Sequence, residues 1–206
     1  RSGHEVRVCL TDAAQKFVSV ALFEALTGKE CLVDTFDEPE RGRMAHIDWA
    51  RQADLIVIAP ATANTIAKIA HGMADDMLTT LIVASEAPLI IAPAMNPTMY
   101  ASETNHQAMH QVIQRGAWVI EPSEGEVACG EQGQGKLANI STIVEAVTKR
   151  LNQKKLLAGK RVLITSGPTR ERIDAARFVS NRSTGKMGAA LAHEACAMGA
   201  LVTIVT

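Results

Sequence analysis

Short unbroken runs of apolar residues recur along the chain, and each is followed by a stretch in which apolar positions return every three or four residues. The unbroken runs, at Val6 to Leu10, Leu55 to Ala59, Leu89 to Ala92, Trp118 to Ile120, Arg161 to Thr165 and Leu201 to Val205, predict strands. The periodic stretches predict helices over Ala14 to Leu26, Ala45 to Gln52, Ala63 to Ile69, Asp76 to Ala84, Pro97 to Arg115, Ile140 to Leu151 and Lys186 to Met198. A strand that does not alternate is buried on both faces, so the expected fold class is α/β, a parallel sheet with helices on both faces.

The rhythm breaks once. The charged stretch from Lys149 to Lys160, closed by Gly159, gives a linker over 152–160 between a first domain, 1–151, and a second that begins at 161–206. That second part is one β-α-β unit, too small to bury a core of its own. Both ends read as cuts. Arg1-Ser2-Gly3 reads as a helix end and stop before the first visible strand, and Leu201 to Thr206 closes on a β-branched run with no turn after it. The expectation is a fragment of a longer protein.

Composition narrows the function classes. A hydrophobic share of 47% in 206 residues suits a packed core, and 21 Lys+Arg against 22 Asp+Glu leave a net charge of -1. This balance argues against nucleic acid or an anionic membrane as partner and points to a small polar ligand. No apolar stretch approaches the roughly 20 residues of a membrane span and no signal segment opens the chain, so the cytoplasm is the expected compartment. Cys9, Cys31, Cys129 and Cys196 form no C-x-x-C pair, which argues against a zinc knuckle and a disulfide framework and predicts free thiols.

Candidate chemistry gathers where strands end. After Leu89 to Ala92 comes Pro93-Ala94-Met95-Asn96-Pro97-Thr98-Met99-Tyr100, a stiff apolar loop with one amide; Asn96 reads equally as a ligand-binding group or as the cap of the next helix. Ala59-Pro60-Ala61-Thr62-Ala63-Asn64-Thr65 places hydroxyls and an amide at a helix start, suited to a phosphate or a ribityl chain. Thr11-Asp12-Ala13 has the same geometry with a weaker signal, since Thr and Asp are ordinary caps. His46 opens a helix, where it reads as a surface or cap residue or as a general base. His71 before Gly72 reads as a helix C-terminal cap. From Glu124 to Lys136 the glycines at 125, 130, 133 and 135 let the chain fold back as a flap, with Cys129 in its middle. A cysteine in such a loop reads as a proton donor or nucleophile, whereas Cys9, Cys31 and Cys196 read as core packing. Finally Ser166-Gly167-Pro168-Thr169-Arg170-Glu171, with Asp174, Arg177 and Asn181 to Gly188, suits a phosphate or nucleotide but lacks the P-loop spacing.

In that order His46, PATANT, PAMNPTMY and Ala128-Cys129-Gly130, followed by SGPTRERID and NRSTGKMG, resemble the bifunctional phosphopantothenoylcysteine decarboxylase and phosphopantothenate-cysteine ligase family of coenzyme A synthesis, over the whole chain. The resemblance implies a flavodoxin-like or Rossmann-like decarboxylase domain whose first strand and glycine-rich loop precede this chain, followed by the start of a CTP- and Mg2+-dependent ligase. It implies FMN held by Thr11, Asp12, Ala13, Thr62, Ala63, Asn64, Thr65 and Ala94. By the same resemblance His46 is the active-site base, Asn96 holds the substrate carboxylate beside Met95 and Met99, and Cys129 is the proton donor. Asp174, Arg177 and Asn181 match positions that handle phosphopantothenate and its acyl-cytidylate. The implied partners are phosphopantothenoylcysteine, phosphopantothenate and cysteine, in a homo-oligomer built from trimers. The chemistry is coherent, because direct loss of carbon dioxide from the terminal cysteine would leave an unstabilised carbanion. Transient oxidation by flavin to a thioaldehyde provides the electron sink. Two other readings stay open: a nicotinamide-dependent Rossmann oxidoreductase, against which no G-x-G-x-x-G follows a visible strand, and a non-catalytic flavin-fold scaffold, which would discard the His, Asn or Cys.

Overall fold

The computed structural model describes residues 3–36, 44–127, 130–152 and 156–206. The chain divides after Leu151 into two compact units. In the first, β1 (Val8–Cys9) leads through α1 (Asp12–Gln15) and α2 (Val20–Thr27) to β2 (Cys31–Leu32), which pairs with it in parallel. Next come α3 (Ala45–Gln52), β3 (Ile56–Ala61), α4 (Ala63–His71), α5 (Met77–Val83), β4 (Leu89–Pro93), α6 (Pro97–Ala101), α7 (Glu103–Gln114) and β5 (Trp118–Val119). The parallel sheet runs β3-β4-β5. A hairpin of β6 (Ser123–Glu126) and β7 (Gln132–Lys136) and then α8 (Ile140–Leu151) complete the unit.

β4 explains the unbroken apolar runs. Alternate residues of a strand face opposite ways. Ile91, with Ile58 and Ala61 of β3, packs against Ile66, Ile69 and Ala70 of α4 and Ala108, Met109 and Val112 of α7. Ile90 and Ala92 pack on the other side with Ile120, Ala138 and α8. Both faces are therefore covered, as the sequence predicts. A third cluster joins Leu32, Ala45 and Met77 to Cys9 and Trp49, setting α3 and α5 against the β1-β2 pair.

The second unit contains β8 (Arg161–Thr165), a hairpin of β9 (Arg170–Arg172) and β10 (Phe178–Ser180), α9 (Lys186–Ala197) and β11 (Leu201–Val205). β8 and β11 pair in parallel through α9, the β-α-β unit expected. Gly188 lets α9 approach closely, since a Cβ there would collide with the Ser166 side chain.

Two helices depart from the sequence reading, both at a serine. The helix expected over Ala14 to Leu26 is two, because Ser19 leaves helical backbone and its Oγ accepts from Leu22 N-H at 3.3 Å. The helix expected over Pro97 to Arg115 breaks at Ser102, which ends α6 and caps α7. Cys196 is also corrected: α9 buries Gly188, Ala192 and Ala195, a stripe that leaves Cys196 exposed rather than in the core.

Candidate functional site

The PATANT segment bridges the end of β3 and the start of α4. Pro60 lacks an N-H for the ladder, and the β3-β4 register shifts between Ile58 and Ala61. Thr62 caps α4, its Oγ1 accepting from Thr65 N-H at 3.3 Å and lying 3.1 Å from Thr65 Oγ1. Thr62 and Asn64 are exposed, Ala63 and Thr65 half-buried. Two hydroxyls and an amide thus crowd the positive end of a nine-residue helix. At the other end His71 Nδ1 lies 2.8 Å from the Ala67 carbonyl, before the left-handed Gly72, as its capping pattern predicts.

The PAMNP loop lies beside it. Ala94 N-H donates to the Ala61 carbonyl at 2.9 Å, holding the carboxyl ends of β3 and β4 side by side. Asn96 caps α6, its Oδ1 accepting from Thr98 N-H at 2.8 Å and Met99 N-H at 3.4 Å. The capping reading is therefore correct for Oδ1. Met95 packs against the core and Met99 is exposed. Burial, with Glu121 nearby, pushes the Tyr100 hydroxyl above its ordinary pKa.

The glycine-rich flap is an antiparallel hairpin docked on this loop. Met95 N-H donates to the Gly135 carbonyl at 2.9 Å. A Cβ at Gly135 would collide with the Met95 carbonyl oxygen, and one at Gly133 would lie 2.9 Å from Pro97 Cβ. Gly133 and Gly135 have φ of 155° and 156°, in the region glycine favours. The sequence reading foresaw the flap but neither its strand pairing nor this docking; the signal was the alternation of glycine with Gln132, Gln134 and Lys136. Ala128 and Cys129 lie outside the described residues.

Thr11 caps α1 at the end of β1, its Oγ1 accepting from Ala14 N-H at 3.2 Å, while Asp12 and Ala13 are exposed. His46 is half-buried in the first turn of α3, next to Ala45, which packs on Leu32 at the end of β2. The PATANT turn and the PAMNP loop thus lie together at the carboxyl ends of β3 and β4, while Thr11 and His46 lie by the carboxyl ends of β1 and β2 in their separate two-stranded sheet; the carboxyl ends of parallel strands are where open α/β sheets bind ligands. Cys9 plays no exposed part: burial, then the neighbouring Cys31, push its thiol up to about 12. The strand register puts Cys9 beside Leu32 and Cys31 beside Val8, so the two thiols face opposite ways.

α5 is held to α4 by charge. Lys68 Nζ lies 2.8 Å from Asp75 and 3.0 Å from Asp76, and Asp76 forms a capping box with Thr79. Burial works to raise the Asp76 pKa, but hydrogen bonds from Thr79 and the Lys68 ammonium more than offset it and hold the carboxyl below its ordinary range.

In the second unit Asp174 and Arg177 pair at 2.6 Å in the β9-β10 turn, and the Arg177 side chain holds the Asp174 carboxyl below its ordinary pKa. Asn181 donates from Nδ2 to Thr169 Oγ1 at 3.2 Å and accepts from Ser183 N-H at 3.0 Å. It lines an open cavity of about 340 Å³ with Thr169 to Glu171. A larger one, about 540 Å³, lies at the amino edge of β3 and β4 beside Arg51, Asp54 and Glu86, away from the strand ends described above.

The flavoprotein family profile matches residues 1–152, and that of the DNA/pantothenate metabolism flavoprotein C-terminal domain matches residues 157–206. The coenzyme A biosynthesis bifunctional protein CoaBC of Bacillus subtilis is 47% identical over 208 residues, which cover 100% of this chain and 51% of that protein. The chain thus spans about half the length of the curated relatives it matches. Among solved structures, a PPC decarboxylase mutant complexed with pantothenoylaminoethenethiol is similar with a TM-score of 0.62 and 31% identity, over 70% of this chain and 81% of that one. The FMN binding protein AtHal3 is similar with a TM-score of 0.59 and 33% identity, over 70% and 80% of the two chains.

Proposed function

The chain belongs to the flavoprotein family, which its residues 1–152 match, and from that premise we propose that the full-length protein decarboxylates 4'-phosphopantothenoylcysteine to 4'-phosphopantetheine with FMN and also joins 4'-phosphopantothenate to cysteine with CTP and Mg2+. Residues 1–151 belong to the decarboxylase, 152–160 form a linker and 161–206 begin the ligase. The observation that carries the reading is the junction of the PATANT turn, the PAMNP loop and the hairpin, held by the Ala94-Ala61 and Met95-Gly135 hydrogen bonds.

The residues present fit FMN. Thr62 and Thr65 hydroxyls, 3.1 Å apart at a helix start, suit the oxygen-rich part of the cofactor. Ala63, Asn64 and Ala94 adjoin them, and Thr11, Asp12 and Ala13 contribute from the end of β1. When bound, FMN supplies the two-electron acceptor without which the substrate's cysteine cannot lose carbon dioxide. Asn96 donates from Nδ2 to the carboxylate that leaves, since its Oδ1 is committed to the cap. Met95 and Met99 flank that group. His46 serves as the base, and Cys129 returns a proton to the product. In the ligase part Asp174, Arg177 and Asn181 meet phosphopantothenate and its activated form.

The substrates are small molecules. The family resemblance implies a homo-oligomer built from trimers, and Phe17 and Phe36, 88% and 94% exposed, are side chains that an interface could cover. Among the described residues no helix is long and apolar enough to cross a membrane. Free thiols at Cys9, Cys31 and Cys196 suit a reducing cytoplasm.

The full-length protein provides the test. Purified, it should carry a visible flavin band and release carbon dioxide from 4'-phosphopantothenoylcysteine, and Cys129→Ser should stall at an enethiol product. A colourless protein, or normal turnover by that variant, would overturn the cofactor and the proton donor respectively.

A further inference from the structure

We propose that Asn105 is a positioning residue that fixes where Asn96 presents its amide, an inference that rests on the carboxylate-binding reading of Asn96. α6 spans five residues, too few to hold a helical position through its own hydrogen bonds. Its placement is set by what fastens its ends. In front, Met95 N-H is tied to the Gly135 carbonyl of the hairpin. Behind, Asn105 donates from Nδ2 to the Tyr100 carbonyl at 3.2 Å. Ser102 couples the two helices: its Oγ donates to the Met99 carbonyl at 2.9 Å and accepts from Asn105 N-H at 3.4 Å.

The setting of Asn105 argues that packing alone does not explain it. It begins the buried face of α7, continued by Ala108, Met109 and Val112, and is itself 5% exposed. Its Oδ1 is buried and has no hydrogen-bond partner among the described residues. Leucine would fill a similar volume on that face without an unsatisfied acceptor. What leucine cannot do is hold the Tyr100 carbonyl. Loss of that bond frees the rear of α6 while Met95 stays tied in front, so the helix swings about Met95 and carries with it the Thr98 and Met99 N-H groups that hold Asn96 Oδ1.

The experiment uses the full-length protein and two ligands, 4'-phosphopantothenoylcysteine and its decarboxylated product 4'-phosphopantetheine, with Asn96→Ala as benchmark. Asn105→Leu should raise KM for the substrate by about three- to tenfold, the worth of one or two weakened hydrogen bonds, with product affinity and the flavin spectrum unchanged. Ser102→Ala, which leaves the buried face of α7 intact, should give the same selective loss at about twofold, and decides the matter if the leucine variant fails to fold. Equal weakening of substrate and product, or no change in either, would overturn the inference. If Asn96→Ala itself fails to discriminate between the two ligands, the carboxylate reading falls and this inference with it. If Asn96→Ala discriminates and neither Asn105→Leu nor Ser102→Ala does, only the role of Asn105 falls.

Discussion

β4 and β8, Leu-Ile-Ile-Ala-Pro and Arg-Val-Leu-Ile-Thr, share an apolar centre and both lie in parallel pairs, yet they have opposite environments. Ile90 to Pro93 are buried along β4, while Leu163 of β8 is 67% exposed and Ile204 of β11 is 47% exposed. Helices cover β4 on both faces; among the described residues of the second unit, α9 is the only helix beside the parallel pair of β8 and β11. An apolar β-branched run thus specifies a strand locally, while burial comes from elements distant in sequence. The contrast extends to the candidate sites. In the first unit the loops are fastened to a buried sheet and to each other, whereas in the second Asp174 and Arg177 sit on an exposed hairpin and hold one another.

Core truncation should separate the two regions most. Ile91→Ala should cost about 2–5 kcal/mol, and Leu163→Ala under about 1 kcal/mol, in denaturant unfolding of the 206-residue chain; equal losses would erase the contrast. Gly135→Val should come next. By driving a side chain into the Met95 carbonyl it should lower the decarboxylation rate about tenfold or more while leaving CTP-dependent ligation at its original rate. Parallel loss of both rates would show that the hairpin acts on general stability instead.

Smaller effects follow from the charged groups. Asp76→Asn should cost up to about 1 kcal/mol near neutral pH by removing the charge that pairs with Lys68, since Asn caps a helix about as well as Asp. Because the folded-state pKa of Asp76 is depressed, its ionised contribution is present above the ordinary 3.8 and lost as pH falls through the folded value. Melting curves of variant and wild type should therefore converge in acid, and a constant gap would contradict the linkage. Arg177→Ala should be the mildest, leaving the unfolding midpoint in place while the Asp174 carboxyl titrates at higher pH, as followed by NMR.

How much the sequence discloses depends on how local the signal is. α3, α8, β8 and β11 begin and end where their apolar pattern and caps place them. Ser19 and Ser102 carried the information that two helices break, but the apolar period runs on past each and outweighs a single capping hydroxyl. β2, within Cys31-Leu32-Val33, and the β9-β10 hairpin, with Phe178-Val179 on one side, have apolar runs of only two or three residues and are set by pairing with other strands. The site follows the same rule. Turns at strand ends were legible from Thr62 to Thr65 and from Pro93 to Tyr100. The Gly135-Met95 contact and the Asn105 bond to Tyr100 join residues through tertiary packing, and neither has a sequence signature of its own.

Carbon dioxide release from 4'-phosphopantothenoylcysteine by Asn96→Asp, set beside wild type in the full-length protein, bears most directly on the crevice at the ends of β3 and β4. With a second carboxylate facing the one to be lost, the variant should keep its flavin band and release no carbon dioxide at substrate concentrations that saturate wild type. Turnover at the wild-type rate would show that the carboxylate is held elsewhere.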